Sequence, residues 1–362
     1  MSSTLENSIR VQNESQLLAE ASQAVLLQLE KNEFDPTPYE RATELLESLP
    51  AVKLVDARVR LALDITRATR NDYRPDLSRR ALYAAFPAGS EVIDVSLRRK
   101  WFTFAGVIEA AFGNVDRSLR CKLIALELCA QSKEWWAFHS EWNNFSMLAN
   151  GAGLYHDAIR YATVAIDAKG DFDPVWLEIR GAAFYNRANS LRRLGRFAEA
   201  EADLFACLVG ITYPPSASAR NKILFAQFLF AEIQLEYGNR FAATVALHAA
   251  STWANACGVP QYKLQIERVR ARLSAFECGK EHAVLQLQEI LECAHQLQSS
   301  LKETSFEDIV FDVLFTLEQV HRENGDVDGA NRWLSSVGDR LRINAARMLD
   351  ALTDKPLLAD EA

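Results

Sequence analysis

Few residues in this chain have the type and spacing to do chemistry. Cys278 precedes His282 by four positions and Cys293 precedes His295 by two, spacings that suggest a metal. A structural metal site shows two paired ligand clusters at defined spacing. The six cysteines (Cys121, Cys129, Cys207, Cys257, Cys278, Cys293) form no C-x-x-C, and the six histidines are scattered. These residues therefore read as ordinary helix positions, and no metal is expected. Glu232, Glu236 and Asp312 could converge in a groove as working carboxylates. No catalytic motif accompanies them: the chain has no G-x-S-x-G, no H-E-x-x-H, no G-x-x-x-x-G-K-[ST] and no G-x-G-x-x-G after a strand. No catalytic residue and no cofactor are expected, and the chain reads as a non-enzyme. The remaining chemistry is recognition. Asn143, Asn144, Asn150, Asn186 and Asn189 each offer amide donors and an acceptor, which can pair with a peptide bond whatever side chains flank it. Arg192 and Arg193 can fork onto a carboxylate.

Whether these groups share a face depends on the elements that carry them. The stretch YNRANSLRRLGRFAEAEADLFACL (185–208) reads as two helices broken at Gly195, with apolar and small residues at helical spacing on both sides. The break recurs. Turns read GNVDRS (113–118), GLYHDA (153–158), GRFAEA (195–200), GNRFAA (238–243), GKEHAV (279–284) and GDVDGA (325–330), with glycines 40, 42, 43, 41 and 46 residues apart. Asn71 and Asn32 extend the series backwards, since Asn substitutes for Gly at a left-handed helix end. FPAGSE (86–91), KGDFDP (169–174), TYPPSAS (212–218) and CGVP (257–260) separate successive pairs.

Each turn carries a pattern with a physical reason. Glycine takes the left-handed conformation that ends the first helix. Val115, Tyr155, Phe197 and Val327, two positions on, plug the turn. Ala158, Ala200, Ala243 and Ala330 follow the glycine by five; Gly106, Ser146, Ala188 and Ala231 precede it by seven. Small residues there let two helix axes cross closely.

These residues resemble the tetratricopeptide repeat (TPR) family. The match is best at Trp142, Ser146, Gly153, Tyr155, Ala158 and Ala165, and at Phe184, Ala188, Leu191, Gly195, Phe197 and Ala200. It is weaker in the Gly113, Gly238 and Gly325 units, the last with Glu318 at the small position. It is poor in the Gly279 unit, which has Arg272 there and Val284 after the turn. The period exceeds the usual ~34 residues. Long-helix arrays of this kind resemble regulatory and sensory arms of bacterial signalling proteins, such as peptide-sensing Rap-type regulators and the helical arms preceding cyclic-di-GMP enzyme domains. The resemblance implies an all-α, right-handed α-solenoid of six to eight TPR-like helical hairpins. Residues 1–90 would hold degenerate repeats, 91–338 the array, and 339–362 a helix extension and tail.

In that family the first helices line a concave wall. Carried onto the Gly195 hairpin, the wall positions are Tyr185, Asn189, Arg192 and Arg193, with Asn186 beside them. On the Gly153 hairpin they are Ser140, Asn143, Met147 and Asn150, with Asn144 beside them; on the Gly238 hairpin, Phe225, Phe228, Glu232 and Leu235. The resemblance thus implies an amide-rich strip beside an aromatic pocket, suited to a peptide or partner protein in the concave groove. Past Gly329, Leu334, Val337, Leu341, Ala345, Met348 and Leu352 form an apolar stripe. It reads as a cap of the solenoid or as a dimerising or transmitting helix. If the helix outruns the last repeat, Ala345, Met348, Leu349 and Leu352 are exposed, and Leu341, Ala345, Met348 and Leu352 would join two copies in a homodimer.

Composition narrows the function. Apolar residues make up 49% of 362, with only 15 Gly and 10 Pro, which favours long helices. The net charge of −8 and pI near 5.4 argue against nucleic-acid and anionic-membrane partners. Met1–Gln16 has no apolar core of a signal peptide, and no apolar run approaches the ~18 residues of a membrane span, so a cytoplasmic protein with reduced thiols is expected. The reading is a non-enzymatic protein- or peptide-interaction module, regulatory in bacterial signalling. The alternative is a sensory arm of a longer signalling enzyme of the cyclic-di-GMP type, coupled through the C-terminal helix.

Overall fold

The structure is a computed structural model describing residues 2–29, 35–49, 54–71, 74–86, 94–132, 134–167, 174–209, 211, 217–257, 260–300 and 307–353. Within these residues there are sixteen α-helices and no strand. The chain divides into two compact units, one running to Trp135 and taking in the chain end from Ala351, the other Trp136–Asp350.

The first unit holds α1 (Ser2–Leu29), α2 (Thr37–Ser48), α3 (Val55–Asn71), α4 (Pro75–Ala85), α5 (Val95–Ala111) and α6 (Val115–Ser132). Local sequence sets the boundaries. Pro75 opens α4, where a missing N–H costs nothing. Asp94 caps α5 by accepting from the backbone N–H of Ser96 (2.9 Å) and Leu97 (3.1 Å). Leu46, Ile65, Leu82, Trp101 and Phe102 share one buried cluster. Arg58 is sealed within the unit because its guanidinium donates to the carbonyls of Leu46, Leu49 and Ala84, closing the ends of α2 and α4. Asn71 is the last residue of α3. Asn32 and most of the residues between successive pairs lie outside the described residues.

The second unit is built from α7 (Trp135–Gly151), α8 (Tyr155–Ile166), α9 (Pro174–Arg193), α10 (Phe197–Leu208), α11 (Ala217–Glu236), α12 (Arg240–Cys257), α13 (Pro260–Glu277), α14 (Lys280–Ser300), α15 (Glu307–Glu323) and α16 (Val327–Thr353). All six turn glycines have positive φ, between 72° and 95°. The crossings follow from the small residues. Ala188 and Ala200 are both fully buried, as are Ala231 and Ala243. At Gly106 a Cβ would fall 2.9 Å from Lys122 Cγ and 3.1 Å from the Ser118 carbonyl. Where a serine replaces alanine, its hydroxyl is satisfied across the crossing: Ser146 Oγ donates to the Ala158 carbonyl (2.8 Å), and Ser118 Oγ to that of Gly106 (2.7 Å).

Two expectations are corrected. The Gly279 hairpin does not lack its small pair; the pair is displaced by one residue. Ala271 and Ala283, 1% and 0% exposed, occupy the crossing, with the same twelve-residue separation as Ala188 and Ala200. At Gly195 the glycine N–H bonds to Arg192 and the next N–H to Leu191, a pattern repeated at Gly113, Gly153, Gly238 and Gly325. At Gly279 α14 starts at the very next residue, so the turn is one residue shorter and Arg272 is freed for another face. The second correction concerns plugging. Phe197 packs edge-on against Tyr237 (5.8 Å), but Val327 is 65% exposed and plugs nothing.

From Val337 to Met348 the C-terminal stripe turns inward, while Leu334 stays exposed. Leu341 packs against a cluster that includes Leu317 and Val337, Ala345 is half-buried, and Met348 is 1% exposed. Met348 is therefore not the exposed apolar residue expected there; the Leu349 and Leu352 side chains lie outside the described residues. Leu341 also reaches the first hairpin of the unit. Its Cδ2 lies 2.6 Å from where a Cβ on Gly153 would stand, at a φ of +75° that already disfavours one.

Candidate ligand-binding site

The first helices of successive hairpins, α9, α11, α13 and α15, face one another around a cavity of about 90 Å³. Helix α9 contributes Tyr185, Asn189, Arg192 and Arg193; α11 contributes Leu224, Phe225, Phe228 and Glu232; α13 contributes Tyr262, Gln265 and Ile266; α15 contributes Asp312. Tyr185, Phe225 and Tyr262 form a run of rings, with centroids 5.4 Å and 5.1 Å apart. Spacing explains this convergence, because residues three or four apart share one helix face. Asn189 and Arg193 lie one turn apart, as do Phe225, Phe228 and Glu232.

The charged groups are already engaged with one another. Arg193 pairs with Asp312 at 2.5 Å and stacks on Phe315, whose ring centre is 4.3 Å away. Gln265 donates to the other Asp312 oxygen (2.8 Å). Arg268, just behind the wall, donates to Glu232 (2.9 Å), Thr316 Oγ1 (2.6 Å) and Gln265 Oε1 (2.9 Å). Burial alone would raise the Glu232 carboxyl, but Arg192, Arg268 and Arg193 overcome that and hold it at about 2. Arg192 is less well served. It is 5% exposed, its Nη2 has only 3.4 Å contacts to Asn189 and Glu232, and its buried Nε has no partner. Burial pulls its pKa down to about 10 against the pull of Glu232.

One helical turn further along lies a second charged layer. Arg272 donates to Glu236 (2.8 Å) and pairs with Glu323, and Gln319 donates to Glu236 (2.9 Å). Glu318, 1% exposed, pairs with Arg322. The two residues that depart from the repeat pattern, Arg272 and Glu318, thus both belong to this ionic layer.

Seven of the fourteen wall residues named from sequence line the cavity: Tyr185, Asn189, Arg192, Arg193, Phe225, Phe228 and Glu232. The others do not. Asn186 donates to Asn143 Oδ1 (2.9 Å), and Asn150 donates to the Asn186 carbonyl (3.3 Å), so these three tie α7 to α9. Asn144 donates to Glu141 (3.1 Å), and Met147 is 40% exposed. Glu232 and Asp312 do converge, as partners of arginines rather than as an acid–base pair; Glu236 sits in the second layer. Tyr262, Gln265 and Ile266 of α13 were missed because the Gly279 hairpin matches the repeat pattern poorly and wall positions were carried only onto the Gly153, Gly195 and Gly238 hairpins. Among the described residues, no three His, Cys, Asp or Glu side chains gather as metal ligands, and no helix is long and apolar enough to cross a membrane.

No protein-family model matches the chain, and no curated protein matches it in sequence. The fold does have a match: a Rap protein solved in complex with competence and sporulation factor superposes with a TM-score of 0.59. The fold is a TPR-like helical-hairpin solenoid. At 11% identity the match covers 94% of this chain and 99% of the Rap chain, so the likeness is one of architecture.

Proposed function

We propose that this chain is a non-enzymatic, cytoplasmic regulatory protein of bacterial signalling whose second unit receives a peptide or an extended partner segment along its first helices. The observation that carries this reading is the cavity lined by two amides, guanidinium groups and four aromatic rings on facing first helices. An extended segment presents one N–H and one C=O per residue, and Asn189 can meet both. The cavity, about 90 Å³, is smaller than the ~300 Å³ of whole small-molecule sites. It suits one side chain, with the rest of the segment lying along the helices. That the fold is shared with a Rap protein solved with its factor supports the same class of role.

The test is a fluorescence-polarisation screen of short peptide libraries against the full chain, followed by Asn189→Ala and Phe228→Ala. Binders weakened about tenfold by each substitution are expected. A screen without binders, or binding indifferent to both substitutions, refutes the site. One observation favours a transmitting role for α16 as a second reading: Leu341 sits on the Gly153 turn, so a shift of that hairpin is felt directly by the last helix.

A further inference from the structure

The outward faces of the second helices are not alike. On α8 the exposed positions include His156 and Arg160, and on α14 they include Glu281, Glu289 and Glu292. That is the ordinary solvated face of an amphipathic helix. The outward face of α10 is instead Ala198, Ala202, Phe205 and Val209, at successive spacings of four, three and four, all exposed. That of α12 is Phe241, Val245, His248 and Thr252 at the same spacings, again all exposed. Residues 241–257 contain no Asp, Glu, Lys or Arg. Phe205 is 66% exposed and Phe241 81%. The two faces are neighbours, because Phe230 of α11 packs against the buried clusters of both α10 and α12. Beside Phe205 a groove of about 100 Å³ opens over Leu204, Leu208, Ala226 and Phe230, with Gln227 as its one amide. Contiguous apolar surface of this kind marks an interaction site. It is separate from the cavity, which first helices alone line.

Charge says what covers it. The chain carries a net charge of −8, so two copies repel over most of their surfaces. Here they do not. The charges at the turn end of the face are two of each sign, and all are engaged within the chain. Arg196 pairs with Glu199 (2.7 Å), Glu201 accepts from Gln234 (2.6 Å), and Arg240 stacks on Phe276, whose ring centre is 4.3 Å away. A partner recognised by its charge finds little to pair with. An identical face fits, since a two-fold interface sets one patch against itself and uncharged groups do so without opposing like charges. The patch also holds both a projecting ring, Phe241, and a groove, as self-complementarity requires. At ~1.5 Å per residue and ~10 Å across, the outer faces of α10 and α12 span roughly 450 Å² before side-chain relief is counted. Two copies then bury about 900 Å², close to the ~1,000 Å² expected of a weak but specific pair. We infer that α10 and α12 are the seam of a two-fold homodimer, in which a second copy of this chain covers Phe205, Val209, Phe241 and Val245.

The test is sedimentation velocity of the full chain from about 1 to about 300 µM, with hydroxyl-radical footprinting of the same samples. A monomer–dimer equilibrium with a midpoint on the order of tens of micromolar is expected, and oxidation of Phe205 and Phe241 should fall at least about threefold as the dimer fills. Phe205→Glu/Val245→Glu should weaken dimerisation at least about tenfold, and so should Phe205→Lys/Val245→Lys. An equimolar mixture of the two variants should dimerise again, because one patch laid on the other then opposes unlike charges. Val327→Glu, equally exposed but on α16, should change nothing. Footprinting of the unsubstituted chain needs no variant, so a misfolded variant does not spare the inference. A monomer at every concentration overturns it and leaves the face to a different protein. A dimer in which Phe205 and Phe241 stay reactive, or which survives both glutamates, has its seam elsewhere and also overturns it. A mixture that stays monomeric, or growth into larger assemblies, refutes the two-fold arrangement. The peptide screen is independent, and its failure leaves this seam untouched.

Discussion

Arg192→Met replaces a buried cation by an uncharged, shorter side chain of comparable volume. Burial holds the guanidinium at about 10, well below its ordinary value, with Glu232 only partly compensating. At ~1.36 kcal/mol per pH unit, carrying that charge in the folded state costs roughly 3 kcal/mol at neutral pH. The folded value lies below the unfolded one, so the penalty is complete below pH 10 and fades as pH rises from there toward the ordinary guanidinium value. Methionine forfeits two 3.4 Å contacts, each worth less than ~1 kcal/mol, and a volume-conserving exchange costs under about 1.5 kcal/mol. The variant should therefore range from unchanged to about 2 kcal/mol more stable. Urea unfolding followed by circular dichroism at pH 7 reads this as a midpoint shifted upward at constant slope. A loss of ~3–5 kcal/mol, the range for orphaning a buried counter-charge, would refute the reasoning. It would mean that Glu232 depends on Arg192 and not on Arg268.

Glu232→Gln should act in the opposite sense. Its carboxyl titrates at about 2 when folded against 4.5 otherwise, so it contributes roughly 3 kcal/mol above pH 4.5. The gap between parent and variant in chemical denaturation should be full at pH 7 and close as pH falls from 4.5 toward 2; a gap independent of pH would count against it. Gly153→Ala should destabilise by more than Gly195→Ala, since both add a side chain at positive φ but only Gly153 meets Leu341. Gly195→Ala is expected to cost ~1 kcal/mol, and Leu341→Ala should remove the excess in a double-mutant cycle of thermal unfolding. Asn186→Ala breaks the bond to Asn143 and should cost ~1 kcal/mol of stability while leaving ligand affinity unchanged; calorimetry on the same sample checks both.

The hairpin series was legible because glycine at a left-handed helix end is a conformational necessity, visible in one sequence. The crossing residues were legible for the same kind of reason, since close axes admit nothing larger than alanine or serine. Phase was lost at Gly279, where the turn is one residue shorter: a count taken from the glycine put Arg272 at the crossing instead of Ala271. The wall was half legible. Helical spacing places Asn143, Asn186 and Asn189 near one face, but it does not say how closely α7 and α9 approach. They approach closely enough for Asn143 and Asn186 to satisfy each other. Asp312 as the partner of Arg193 could not be read at all, because nothing local links residues 119 positions apart.

That separation shapes how the unit is made. Stacked hairpins ordinarily meet only their neighbours, so each can settle as it leaves the ribosome. The Arg193–Asp312 clasp must wait for 119 further residues. At ~5–20 residues per second, synthesis of that span takes several seconds, far longer than the microseconds in which individual helices form. Through that interval α9, α11 and α13 can pair locally, while Arg193 has no counter-ion and the rings beside it have no α15 to cover them. The recognition surface is thus the last part of the unit to mature, and a nascent chain stalled before Glu307 carries a stack of finished hairpins with an open, sticky seam.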